Sequence, residues 1–241
     1  MATVILLRHA RSSANGAGVL AGRSPKVALD EAGLKQAAAL VARLAEVPLA
    51  AVVASPLQRC RQTVAPLVAA RELAVTTESA LSEVDYGDWT GRELKVLFKE
   101  PLWRVVQQHP SAAVFPGGEG LAQVQSRAVA AVRAHERRIV AEHGPEAVWL
   151  ACSHGDVIKS VLADALGVHL DSFQRIVVDP CSVSVIRYTD TRPFVLRVND
   201  NGGDLRGIVA APAAKPTRGR GGRKAATATS DAVVGGSTGA H

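Results

Sequence analysis

Short β-rich runs alternate with longer helical patterns through most of this chain, and that alternation limits the fold more than any other feature. Residues 3–7 (Thr3-Val4-Ile5-Leu6-Leu7) are apolar and β-branched and open onto a polar Ser/Asn/Gly stretch, the pattern of a strand entering a loop. Asp30 stands as an N-cap before Leu34, Ala37, Ala38, Val41, Leu44 and Ala45, whose spacing of three and four predicts a helix. Residues 50–54 predict the next strand. Ser55-Pro56 predicts an N-cap with Pro in the first turn of a helix through the sixties, kinked at Pro66. A strand near 73–77 follows. Residues 82–120 are irregular, with Gly, Trp and Pro and short helices near 93–98 and 102–109. A long amphipathic helix over 121–143, a strand over 147–152, a helix to about 166 and strands near 182–188 and 194–199 complete the pattern.

Such alternation implies an α/β fold: a three-layer α/β/α sandwich whose mostly parallel sheet carries helices on both faces and is closed by antiparallel strands at its C-terminal end. One domain over 1–211 accounts for it. Residues 212–241 are Gly, Ala, Ser, Thr and Pro with a basic cluster and no periodicity, which predicts a disordered low-complexity tail. That tail holds Lys215, Arg218, Arg220, Arg223 and Lys224 against one acid, Asp231, so most of the net charge of +6 sits there. The body is close to neutral. Nucleic acid is therefore not expected as a partner beyond weak contacts of the Arg218-Gly219-Arg220-Gly221-Gly222-Arg223 run. No apolar run approaches the ~20 residues of a membrane-spanning helix, and no secretory leader is recognisable, so a cytoplasmic protein without a membrane partner is expected. Cys60, Cys152 and Cys181 form no Cys-x-x-Cys pair, which argues for reduced thiols and against a disulfide framework or zinc ribbon. The oligomeric state is not fixed by the sequence; a homodimer is compatible with it.

Sheets of this kind bind ligands beyond the carboxyl ends of their strands. Polar groups fall at three such ends: Arg8-His9, Ser55-Pro56 leading to Arg59, and His154. Two guanidiniums with rigid donor forks suit a dianionic phosphoryl group. A neutral imidazole can attack phosphorus and split hydrolysis into two displacements through a phosphohistidine. A carboxylic acid of raised pKa, with Glu83 as candidate, can protonate the departing alkoxide and later reclaim a proton from water. None of these groups calls for a metal or organic cofactor.

In these residues the chain resembles the histidine phosphatase superfamily, also called the phosphoglycerate mutase-like family. Leu7-Arg8-His9-Ala10-Arg11-Ser12-Ser13-Ala14-Asn15 looks like the signature Arg-His-Gly-x-Ser-x-x-Asn. Leu29 with Gly33 and Gln36-Ala37, Ser55-Pro56-Leu57-Gln58-Arg59-Cys60-Arg61-Gln62-Thr63, Glu83 to Gly91, Pro116-Gly117-Gly118-Glu119 and Ser153-His154-Gly155-Asp156 follow in the family's order and spacing. The resemblance implies a phosphoglycerate mutase-like fold and a catalytic set of His9, Arg8, Arg59, Glu83 and His154. His9 would be the phosphorylated nucleophile and Glu83 the proton donor. Arg8, Arg59 and His154 would surround the phosphoryl oxygens, assisted by Ser12, Asn15 and the Gly155 backbone. Ala21, Gly22 and Arg23 would touch the rest of a small phosphorylated substrate, with Arg23 reading a second anionic group. Ala10 departs from the usual Gly, and a Cβ there costs ~1 kcal/mol if the backbone lies at positive φ. Gly120 departs from a usual Ser and weakens a helix cap.

In the family's glycerate mutases the acid is followed by Arg in a Glu-Arg-His-Tyr-Gly string. Here Val84 and Asp85 follow Glu83, and the segment before the long helix is short, which resembles the phosphatase branch. Mutase-type phosphoryl transfer and a non-catalytic module that binds phosphorylated ligands stand as alternatives. A thiol phosphatase on Cys181 and Arg187 is excluded because the β-rich, glycine-free residues between them hold the pair roughly 20 Å apart at ~3.3 Å per residue. Ser153 lacks the first Gly of a nucleophile elbow. A metallohydrolase on His9, His154 and Asp156 lacks a dense cluster of ligands but stays open.

Overall fold

The computed structural model describes residues 2–203; the tail expected over 212–241 lies outside the described residues. β1 (Thr3–Arg8) leads through α1 (Ser13–Ala17) to α2 (Glu31–Arg43), followed by β2 (Leu49–Ala54), α3 (Gln58–Arg71) and β3 (Val75–Thr77). The irregular segment contains α4 (Leu94–Leu97) and α5 (Pro101–Gln108) and ends at α6 (Leu121–His143). β4 (Val148–Ser153), α7 (Gly155–Leu166), β5 (Val183–Tyr188) and β6 (Pro193–Asp200) complete the domain. The strands form one sheet in the order β3-β2-β4-β1-β5-β6. β3, β2, β4 and β1 are parallel, β5 is antiparallel to β1, and β6 is antiparallel to β5. This is the expected mostly parallel α/β/α sandwich. Among the described residues no helix is long and apolar enough to cross a membrane.

Successive side chains of a strand point to opposite faces, so a central strand feeds two cores. Val4, Leu6, Val53, Trp149 and Ala151 join the core that includes Leu121, Val124 and Val132 of α6 and Val157 and Val161 of α7. Ile5, Leu7, Val52, Ala54, Leu150 and Cys152 join the second core with Ala37 and Leu40 of α2 and Val64 and Leu67 of α3. All three cysteines are buried and unbridged.

Three local expectations are corrected. The buried face of α2 is Gly33, Ala37 and Leu40, while Leu34 is 53% exposed and Ala38 and Ala45 face solvent. A glycine adds nothing to an apolar count, yet here it is the contact that sets the helix phase: a Cβ at Gly33 would lie 1.9 Å from the Arg11 carbonyl oxygen. Ser55 does not cap α3, which starts at Gln58 with Leu57 as an N-cap lacking a side-chain bond, because the Ser55 hydroxyl is engaged at His154. The helix then continues through Pro66. β3 is shorter than expected and exposed along its length. Asp30 caps α2 as expected, its carboxylate accepting from Gly33 N at 2.8 Å.

Gly33→Ala should destabilise the protein by about 2 kcal/mol through overpacking, a fall in Tm of roughly 4–8 °C. Thermal unfolding measures it. The same change should lower activity, since the displaced carbonyl lies two residues from His9.

Candidate active site

β1 and β4 are adjacent and in register, with Arg8 opposite Ser153. The next residue on each strand is a histidine, so register alone brings His9 and His154 together. His9 N donates to Ser153 O at 2.9 Å, and the two ring centroids are 5.2 Å apart at 59°. His9 Nδ1 lies 2.8 Å from the Ala10 carbonyl oxygen. A carbonyl only accepts, so Nδ1 carries the proton and Nε2 keeps its lone pair. Burial, and then the Arg59 and Arg8 charges, hold the His9 pKa well below its ordinary 6.5, which keeps this ring neutral. Ala10 is fully buried and is not among the residues at positive φ, so its Cβ packs in the second core without backbone strain. Its N–H donates to Thr63 Oγ1 at 2.9 Å.

Arg59, in the first turn of α3, is buried. Its Nη2 donates to Gly22 O at 2.8 Å and to His154 Nδ1 at 3.1 Å. Its Nε and Nη1 are buried without a hydrogen-bond partner among the described residues, a deficit that an anion would satisfy. Arg8 is also fully buried, and its Nη1 donates to Val178 O at 2.7 Å. Because the guanidinium beside it is only a donor, His154 Nδ1 must accept, and Nε2–H donates to Ser55 Oγ at 2.8 Å. Burial and the Arg59 charge hold the His154 pKa well below 6.5. The 3.9 Å approach of His154 Nδ1 to Glu83 Oε2 is thus a contact of a neutral ring rather than an ion pair. In this arrangement His154 orients Arg59.

Glu83 comes from the irregular segment, yet it is buried against the same site. Its Oε1 accepts from Val84 N at 3.0 Å. Desolvation, reinforced by the Asp156 charge, pushes its pKa from an ordinary 4.5 up to about 7, against the opposing pull of Arg59 and Arg8.

The remaining candidates divide. Ser12 and Asn15 cap α1 reciprocally: Ser12 N and Oγ donate to Asn15 Oδ1 at 3.0 and 2.8 Å, and Asn15 N donates to Ser12 Oγ. Gly22, at φ 50°, lends its carbonyl to Arg59, and a Cβ there would lie 2.7 Å from Thr90 Oγ1. Ala21 turns the same loop by accepting from Ser24 N at 3.0 Å. Arg23 is half-exposed and bound to Glu119 and the Glu83 carbonyl. Gly155 is the buried first residue of α7. Asp156 accepts from Tyr86 Oη at 2.7 Å and faces Lys159 Nζ at 3.6 Å. Among the described residues no group of three or more His, Cys, Asp or Glu side chains is placed to hold a metal ion. Sequence reasoning missed Ser55 as a partner of His154, and it missed Thr63, whose place one helical turn after Arg59 was the available signal. It also assigned no role to Glu119 or Arg127.

The raised Glu83 pKa makes a stability prediction. Folding favours the protonated carboxyl, so its contribution is intact below the unfolded value near 4.5 and is lost as pH rises through about 7. Glu83→Gln, which cannot ionise, should gain Tm relative to the parent as pH goes from 5 to 8. Parallel melts at both pH values read this, and a constant difference would contradict the assignment.

Against known proteins, residues 4–201 match the family described as the histidine phosphatase superfamily (branch 1). The chain is 32% identical over 202 residues to phosphoserine phosphatase 1 of Hydrogenobacter thermophilus, covering 83% of this chain and 92% of that one. Among solved structures, YhfR of Bacillus stearothermophilus superposes with a TM-score of 0.75 at 27% identity, covering 83% of this chain and 98% of that one. The alpha-ribazole phosphatase of Shigella flexneri gives 0.71 at 26%, covering 82% and 96%. With a buried His-Arg pair at the end of β1 facing a second histidine at the end of β4, the chain belongs to branch 1 of the histidine phosphatase superfamily and is a phosphatase of the phosphoglycerate mutase-like type.

Proposed function

We propose that this chain is a metal-independent phosphomonoesterase that hydrolyses a small phosphorylated metabolite through a phosphohistidine on His9. The observation that carries the reading is the His9 ring itself: Nδ1 is fixed as donor to Ala10 O, leaving Nε2 as a neutral nucleophile beside Arg59, whose buried Nε and Nη1 lack partners. Nε2 attacks phosphorus as the ester P–O bond breaks. Glu83, protonated because it is desolvated, gives its proton to the departing oxygen. Water then attacks the phosphohistidine, Glu83 takes back the proton, and inorganic phosphate leaves with His9 regenerated. Arg8 and Arg59 meet the charge on the equatorial oxygens throughout. Similarity to a protein named phosphoserine phosphatase supports water as acceptor over a second substrate hydroxyl. So does Val84, a fully buried apolar residue at the position after the acid.

His9→Ala should lower turnover of an aryl phosphate by more than ~10³-fold, and single-turnover quenching of the parent enzyme should trap an acid-labile phosphoryl group that the variant lacks. Wild-type turnover in His9→Ala would end the proposal. Glu83→Gln should cut kcat for alkyl phosphates by ~10²–10⁴-fold and for aryl phosphates far less, since a phenolate leaves with little help. Activity is expected to survive a chelator.

A further inference from the structure

His9 is held by the sheet, but Glu83 lies outside any helix or strand, so something else must hold the acid against the site. Its carbonyl oxygen accepts from Arg23 Nε at 2.9 Å and from Arg127 Nη2 at 3.3 Å, which occupies both lone pairs. The two guanidiniums are themselves joined through Glu119. Its Oε1 accepts from Arg23 Nη2 at 2.8 Å, Arg127 Nη2 at 2.6 Å and Asp85 N at 2.9 Å, and its Oε2 accepts from Arg127 Nε at 3.0 Å. Asp85 Oδ2 lies 3.6 Å from Arg23 Nη1. The hydrogen bonds from Arg127 and Asp85, and the Arg127 and Arg23 charges, keep the Glu119 pKa below its ordinary value, so the linker stays ionised. Two cations thus face two anions, and little positive charge is left over for a substrate carboxylate. One residue earlier, Gly22 O receives Arg59 Nη2. The dipeptide Gly22-Arg23 therefore ties the phosphoryl-gripping guanidinium and the acid to one strap.

We propose that Arg23 is a positioning residue which, together with Arg127 and through Glu119, pins the Glu83 main chain so that its carboxyl meets the leaving oxygen, and that it does not read a second charge on the substrate. This rests on Glu83 being the general acid. A planar fork is required, because Nε and Nη2 serve different acceptors at once; a lysine supplies the charge without the fork.

The test compares Arg23→Lys, Arg23→Met and Glu119→Gln with the parent on 4-nitrophenyl phosphate and on two alkyl phosphates that the parent hydrolyses, one carrying a carboxylate and one neutral. All three variants should lose kcat on both alkyl esters in parallel, by ~10–100-fold, with KM within about twofold and a loss below about threefold on the aryl ester. A rise in KM confined to the carboxylated ester, with Arg23→Lys close to the parent, would make Arg23 an anion reader and overturn the proposal. Equal losses of kcat on aryl and alkyl esters would overturn it too, since they would mean general damage to the site. Should Arg23→Met fail to fold, Arg23→Lys and Glu119→Gln carry the same comparison. The parent's sensitivity to His9→Ala and Glu83→Gln is measured first, so that failure of the underlying mechanism is told apart from failure of this assignment.

Discussion

Two guanidiniums removed from water beside two imidazoles are the constraint around which the rest of this structure is arranged. A buried cation without full pairing is costly, and Arg59 leaves two donor nitrogens unfilled. The fold compensates in part with backbone oxygens, Val178 O for Arg8 and Gly22 O for Arg59. The two remaining Arg59 nitrogens are left for an anion. A core of equal volume built from apolar residues would be the more stable solution, so the arrangement reflects what the site has to bind rather than what the domain needs to fold.

The same burial acts in opposite directions on the two kinds of titrating group. Loss of solvent disfavours charge, so it lowers the pKa of His9 and His154 and raises that of Glu83. One physical cause thereby yields a neutral imidazole and a neutral carboxyl at the same pH, the pair that the proposed attack and departure require. Neighbouring charges refine the result: Arg59 and Arg8 reinforce the effect on the rings, while Asp156, held by Tyr86, counters their pull on the carboxyl.

Strand ends were legible from the residues because a parallel sheet is written as apolar runs, and candidate groups placed directly after such runs inherit their positions from register. Arg8, His9 and His154 are of this kind. Glu83 was located by resemblance to a family; no periodicity surrounds it, and its geometry depends on Arg23, Arg127 and Glu119, which lie up to 60 residues away in sequence. Ser55 illustrates the opposite failure. Ser-Pro before a helical pattern has a local meaning as a cap, and the tertiary contact with His154 displaced it. The phase of α2 was misread for a related reason, since close backbone approach at Gly33 leaves no mark in an apolar count.

β1 precedes the other strands of this sheet in sequence, yet it lies between β4 and β5, whose residues span 148–188. At ~5–20 residues per second, the ribosome needs roughly 9–36 s after β1 to deliver both neighbours. Until then this apolar strand lacks at least one of its neighbours, leaving an edge open to pairing with other nascent chains once it has emerged. The proposed nucleophile therefore directly follows a strand that waits for both of its neighbours, and the yield of active enzyme in a cell depends on how that strand is shielded until they arrive.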